Sequence, residues 1–207
     1  VKKIVHLFFV LAIGSALQAQ NTRRLDDLAF ACVKAAESPG QSLRQGAKAI
    51  FFSGKPAEDQ LKSIAAFFEH QDQSLILVFD KAFGADSIQP ILQRQFGKDL
   101  VLKKTDQWPP ENFLQKKKII ALFRDDITFT SSTRVISSGT YAARFSSDPL
   151  NKMVVFTPDS GDSLKAQCLQ CWRLTGKVPN FVLLDPDELE EATPVIEFLN
   201  NTRRLTG

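Results

Sequence analysis

The sequence predicts an α/β fold built on a largely parallel sheet, and three observations predict it. Short apolar runs alternate with segments of helical period along the whole chain, the order expected of strands joined by helical crossovers. Several runs, among them Leu75 to Phe79 and Ile119 to Phe123, are continuously apolar rather than alternating, as strands covered on both faces are. No glycine-rich phosphate loop follows any of them. Of the two main solutions for this order, a closed barrel and an open doubly wound sheet, the cofactor-binding form of the second is therefore disfavoured.

The first stretch reads as an address label. Lys2 and Lys3 precede an apolar run from Ile4 to Leu17, and Ala19 follows it. About twenty apolar residues are needed to span a bilayer, so the pattern predicts a secretory leader over residues 1–19, cut after Ala19, with a membrane anchor as the competing reading. Residues 20–207 are then one exported domain, periplasmic or secreted.

Strands are expected at Leu28 to Lys34, Ala47 to Phe52, Leu75 to Phe79, Leu100 to Lys103, Ile119 to Phe123, Tyr141 to Phe145, Met153 to Phe156 and Phe181 to Leu184. Between them, Pro56 suits a first helical position, and Leu61, Ile64, Ala65 and Phe68 repeat at helical spacing behind it. Ile88, Ile91, Leu92 and Phe96 make a second stripe, with Pro90 expected in its first turn. Trp108-Pro109-Pro110 opens a short third element. Leu164, Cys168, Cys171 and Trp172 form another stripe, and the last helix turns Leu189, Ala192, Ile196 and Leu199 inward behind an acidic start at Asp187, Glu188, Glu190 and Glu191, which complements its dipole. Ile127 to Gly139 is polar and β-branched, and reads as an irregular loop with at most a short strand.

Composition excludes several functions. Twenty-six basic residues against 23 acidic ones give a net charge of +3, part of it in the leader, with no basic stripe for nucleic acid. The densest basic run, Lys116 to Lys118, leads directly into an apolar strand, which suits solvated flanking residues better than a phosphate site. Cys168 and Cys171 have the spacing of a redox or metal motif, but they also lie on one helical stripe; burial as small hydrophobes is the first reading, a local disulfide the second, and zinc would need two more ligands. His70 is the one histidine outside the leader. It is expected at a helix end, on the rim opposite the strand C-termini.

Five phrases, in order, carry a resemblance. Asp27-Leu28-Ala29-Phe30 with Ala31 to Ala35, Leu43-Arg44-Gln45-Gly46-Ala47-Lys48-Ala49-Ile50, the run Phe67 to Asp80, Trp108-Pro109 with Ile119 to Phe123, and Val178-Pro179-Asn180-Phe181-Val182-Leu183-Leu184-Asp185 span nearly the whole of residues 20–207. Together they resemble the X-domain family of phosphatidylinositol-specific phospholipases C. The resemblance implies a distorted, incomplete TIM-type β/α barrel with any site at the C-terminal strand ends. It also implies phosphodiester cleavage by two histidines, one taking the proton of the attacking hydroxyl and one protonating the leaving group.

The departures fall on that chemistry. Lys34 stands where the first histidine would be, Ala35 beside it, and Phe51 and Ser53 at the charged positions of the second strand; the second histidine is absent together with its strand. Asp80 and Asp185 keep carboxylates at matched strand ends, and Lys34 is expected opposite them, as a structural ion pair lining a small crevice. Arg124, Asp125 and Asp126 are adjacent and cannot all face one site, which speaks against a metal triad. The sequence therefore predicts a degenerate family member with no catalytic residues, no metal and no cofactor, acting by binding or as a structural part of the cell envelope. Its expected partners are an anionic small molecule held by Lys34 or an envelope protein, with a membrane surface and a homodimer through the strand-poor edge also open. The alternative is an active phosphodiesterase using Lys34, Asp80 and Asp185.

Overall fold

The computed structural model describes residues 23–80, 85–102, 108–123, 126–131, 152–160 and 163–202. The expected leader, the expected strand at Tyr141 to Phe145, and Arg124 and Asp125 lie outside these residues.

In chain order the elements are β1 (Phe30–Lys34), α1 (Pro39–Arg44), β2 (Ala49–Phe52), α2 (Glu58–Glu69), β3 (Leu75–Phe79), α3 (Ala85–Phe96), β4 (Leu100–Leu102), β5 (Ile119–Leu122), β6 (Ile127–Ser131), β7 (Met153–Thr157), α4 (Leu164–Thr175), β8 (Phe181–Leu184) and α5 (Leu189–Thr202). The eight strands form one sheet in the order β4-β5-β3-β2-β1-β8-β7-β6. Every pairing in it is parallel, and β1 lies between β2 and β8, so that the first and last strands are neighbours as they are in a barrel.

Two observations show that the sheet curls. Residues 123–126 are the whole link between β5 and β6, which stand six places apart in the strand order. In a flat sheet that separation would be about 29 Å, whereas five Cα steps reach at most about 18 Å. Phe51 of β2 and Phe129 of β6, four places apart, also meet edge to face with ring centroids 5.8 Å apart. Strand twist of about 20–25° per neighbour lets the end of β5 meet the start of β6. There the Asp126 carboxylate accepts the Phe123 N–H at 3.0 Å, the Asp126 N–H donates to the Phe123 carbonyl, and the Asp126 carbonyl takes the Met153 N–H.

Each face of the half-barrel has its own core. Outward residues, among them Val33, Ile50, Phe52, Leu77, Phe79, Ala121, Phe156 and Leu184, pack with the buried faces of the helices, Leu61, Ile64, Leu92, Cys168 and Leu199 included. Inward residues, among them Phe30, Cys32, Phe51, Val78, Leu122, Met153, Val155 and Phe181, pack with one another and with Leu25, Leu28, Trp108, Phe113 and Leu114, which lie outside the strands and the helices α1 to α5. A sheet with helices on one side and itself on the other is the layering of a barrel, not of an open doubly wound sheet.

Several expectations need correction. The short strand left open in the segment from Ile127 is present, as β6, and its Ile127 and Phe129 face the inner core. No open edge is left after β2: Ala49 to Phe52 pair directly with Ile76 to Phe79. The opening lies elsewhere, between the edge strands β4 and β6, because β5 has inserted between β3 and β4. Helix α2 starts at Glu58, with Pro56 ahead of the Ala57 cap whose N–H is taken by the Gln60 side chain at 2.9 Å. Pro90 sits well inside α3 rather than in its first turn, and α1 has no counterpart among the expected helices.

Candidate functional site

Alternation along β1 brings Phe30 and Cys32 inward and carries Lys34 to the strand end, and Phe181 and Leu183 do the same for Asp185 on β8. Val33 pairs with Leu184, so the next residues on the two strands stand level. The Lys34 Nζ lies 2.9 Å from Asp185 Oδ1, with the side chains 48% and 52% exposed. A pair this solvated contributes only about 0–1 kcal/mol to stability.

The pair forms one wall of a cleft of about 700 Å³ at the C-terminal ends of β1, β7 and β8 and the starts of α4 and α5, where Thr157, Asp159, Ser163 and Glu188 also line it. Local hydrogen bonds set its edges. The Asp185 N–H donates to Glu188 Oε2 at 2.7 Å, which fixes the turn into α5. Gln167, buried on α4, accepts the Asp159 N–H and donates to the Asp159 carbonyl, both at 2.8 Å, and so clamps the loop after β7. That clamp was not among the sequence expectations; a glutamine on the buried stripe of a helix was the available signal.

Asp80 does not join this cleft. It is half-buried at the end of β3, where its N–H donates to the Phe52 carbonyl at 3.0 Å. In register Lys34 stands level with Phe51 and Val78, so Asp80 lies two residues further along a strand two places away. That is about 7 Å along the strand and about 10 Å across the sheet. The structure therefore joins two of the three expected polar residues and separates the third.

Below the cleft the interior is apolar. Phe51, 7% exposed, occupies the level at which the resemblance would put a charged group, and its ring meets Phe129. Cys32 is fully buried in the same inner cluster, and burial alone pushes its thiol far up. Cys168 and Cys171 are free, fully buried thiols in the outer core, each pushed up to about 12, first by burial. Such thiols are poor nucleophiles and poor metal ligands. Among the described residues no group of three histidine, cysteine or acidic side chains could hold a metal ion, and no helix is long and apolar enough to cross a membrane.

The remaining candidates have structural partners. His70 is the exposed C-cap of α2, on the rim away from the cleft. Lys116 lies 5.3 Å from the Phe113 ring centroid, Lys117 donates to the Glu69 carbonyl at 2.7 Å, and Lys118 pairs with Asp99 at 3.2 Å. Asn180, 2% exposed, accepts the Val154 N–H and donates to the carbonyls of Asp26 and Leu28, tying the chain before β1 to β7.

Comparison of the chain with protein-family models, curated proteins and solved structures gave no match.

Proposed function

We propose that this protein is an exported, non-catalytic binding protein built on a phospholipase-C-like half-barrel, and that the cleft above Lys34 and Asp185 is its ligand site. The observation that carries the reading is the pairing of Lys34 with Asp185 at 2.9 Å over an apolar interior. Phosphodiester cleavage needs a base and an acid placed on either side of the phosphate, whereas this lysine and carboxylate are paired with each other. An active phosphodiesterase of the Lys34, Asp80 and Asp185 kind would require Asp80 to reach the same phosphate. Its position outside the cleft lining weighs against that reading.

The test combines turnover and binding. Purified protein is expected to release neither inositol phosphate from phosphatidylinositol nor nitrophenol from aryl phosphodiesters, with or without calcium, while soluble head-group compounds bound in the cleft raise its melting temperature. Turnover that disappears in Lys34→Ala or Asp185→Asn would overturn the proposal, and so would binding that is unchanged in both variants.

A further inference from the structure

The charges that line the ligand cleft do not balance. Among the described residues, Lys34 and Lys165 face it together with the carboxylates of Asp159, Asp185, Glu188 and Glu191. Both lysines are already attracted elsewhere. Lys34 sits 2.9 Å from Asp185, and the Lys165 Nζ lies 3.7 Å from the ring centroid of Phe198, a residue outside the cleft lining. The starts of α4 and α5 each bring about half a positive charge to this end of the sheet. With both of them counted, an excess of about one negative charge remains in the cleft. Lys34 by itself suggests an anionic ligand, and the lining as a whole opposes one.

The excess lies at the start of α5. Glu188 accepts the Asp185 N–H through Oε2 at 2.7 Å, which holds its carboxylate at the cleft edge, and Glu191 is exposed one turn further along the chain. Among the described residues no group of three histidine, cysteine or acidic side chains could hold a metal ion, so these carboxylates are spread along a wall instead of converging on a point. An ammonium group needs less. It carries three N–H donors and is held by one or two carboxylates, with water completing its shell. The cleft volume of about 700 Å³ falls within the range of about 300–1,000 Å³ typical of small-molecule sites, which is room for an ammonium and the polar group that carries it.

Given the reading of this cleft as the ligand site, on which the next step rests, we infer that its ligand is a small molecule bearing a primary ammonium group, which lies against Glu188 and Glu191 while Lys34 stays with Asp185. Such a group belongs either to an amino-alcohol lipid head group or to a free amine, and the chemistry that recognises it is the same. Each of these solvated ion pairs contributes little, so the binding is expected to be weak and sensitive to salt.

Calorimetric titration of the full chain at low, fixed ionic strength with ethanolamine, glycerophosphoethanolamine and glycerophosphoinositol tests it. The two amine compounds are expected to bind saturably, and glycerophosphoinositol, an anion with no ammonium, at least roughly fivefold more weakly. Tighter binding of glycerophosphoethanolamine than of ethanolamine identifies a lipid head group as the source, and equal binding a free amine. The double variant Glu188→Gln, Glu191→Gln keeps an acceptor for the Asp185 N–H and should weaken ethanolamine binding by roughly five- to tenfold, the worth of two exposed ion pairs. Added salt should weaken it severalfold in the unmodified protein, a readout that needs no variant to fold. A preference for glycerophosphoinositol, equal ethanolamine binding in the double variant, or binding indifferent to salt would overturn the ammonium reading and leave the cleft as the ligand site. Absence of saturable binding by all three compounds would overturn both.

Discussion

Phe51 and Phe129 offer a direct test of the curled sheet, because they belong to strands four places apart and touch only if the sheet folds back on itself. Phe51 is 7% exposed, and truncating such a side chain to alanine costs about 3–5 kcal/mol. Phe129 is half-buried, so its own truncation should cost less, about 1.5–3 kcal/mol. An edge-to-face pair carries about 0.5–1.5 kcal/mol beyond the area it buries. The double variant should therefore be less destabilised than the sum of the singles by about that amount. Urea unfolding of the four proteins, compared at constant m-value, measures the difference. Additivity within about 0.3 kcal/mol is what residues on distant strands of an open sheet would give, and it would refute the half-barrel geometry.

The buried thiols make a pH prediction. Cys168 and Cys171 titrate near 12 in the folded protein and near 9 when unfolded, so the neutral form stabilises the fold fully below about pH 9 and that contribution is lost as pH rises toward 12. Unfolding midpoints should fall across that alkaline window, and replacing both cysteines with alanine should flatten the fall. A disulfide reagent should find no reactive thiol below pH 8 until denaturant is added. Asn180→Ala should cost roughly 3 kcal/mol or more, since it strands the Val154 N–H and the Asp26 and Leu28 carbonyls together; thermal unfolding checks this.

The strands that the sequence reveals best are those covered on both sides. β3 and β8 coincide with their apolar runs because a continuous Val, Ile, Leu and Phe segment has no other stable home than a sheet buried on both faces. β6 is only faintly legible because its outward residues are threonines; the alternation of Ile127 and Phe129 is its signal. Strand order was not legible at all: nothing local in Leu100 to Leu102 or Ile119 to Leu122 says that β5 enters between β3 and β4. At the site, the order of residues along β1 and β8 was enough to bring Lys34 to Asp185, since both are one step beyond an inner-core residue's outward neighbour. Asp80 looked equivalent on the same rule. The stagger between neighbouring strands moved it away, and stagger is a property of the assembled sheet.

The two ends of the half-barrel are held by different chemistry. At the end where β1 begins, Asn180 and Asn200 make five hydrogen bonds of 2.8–3.0 Å to backbone groups, and Asn180 is almost wholly buried. Where β1 finishes, Lys34 meets Asp185 half in water. Buried bonds of the first kind are lost only at a cost of about 1–3 kcal/mol for each group left bare, whereas the solvated pair can open for about 1 kcal/mol or less. Motion at the cleft is therefore much easier than motion at the opposite end. Asp185 can swing away from Lys34 without disturbing the sheet, since its only cost is the opening of a half-exposed pair.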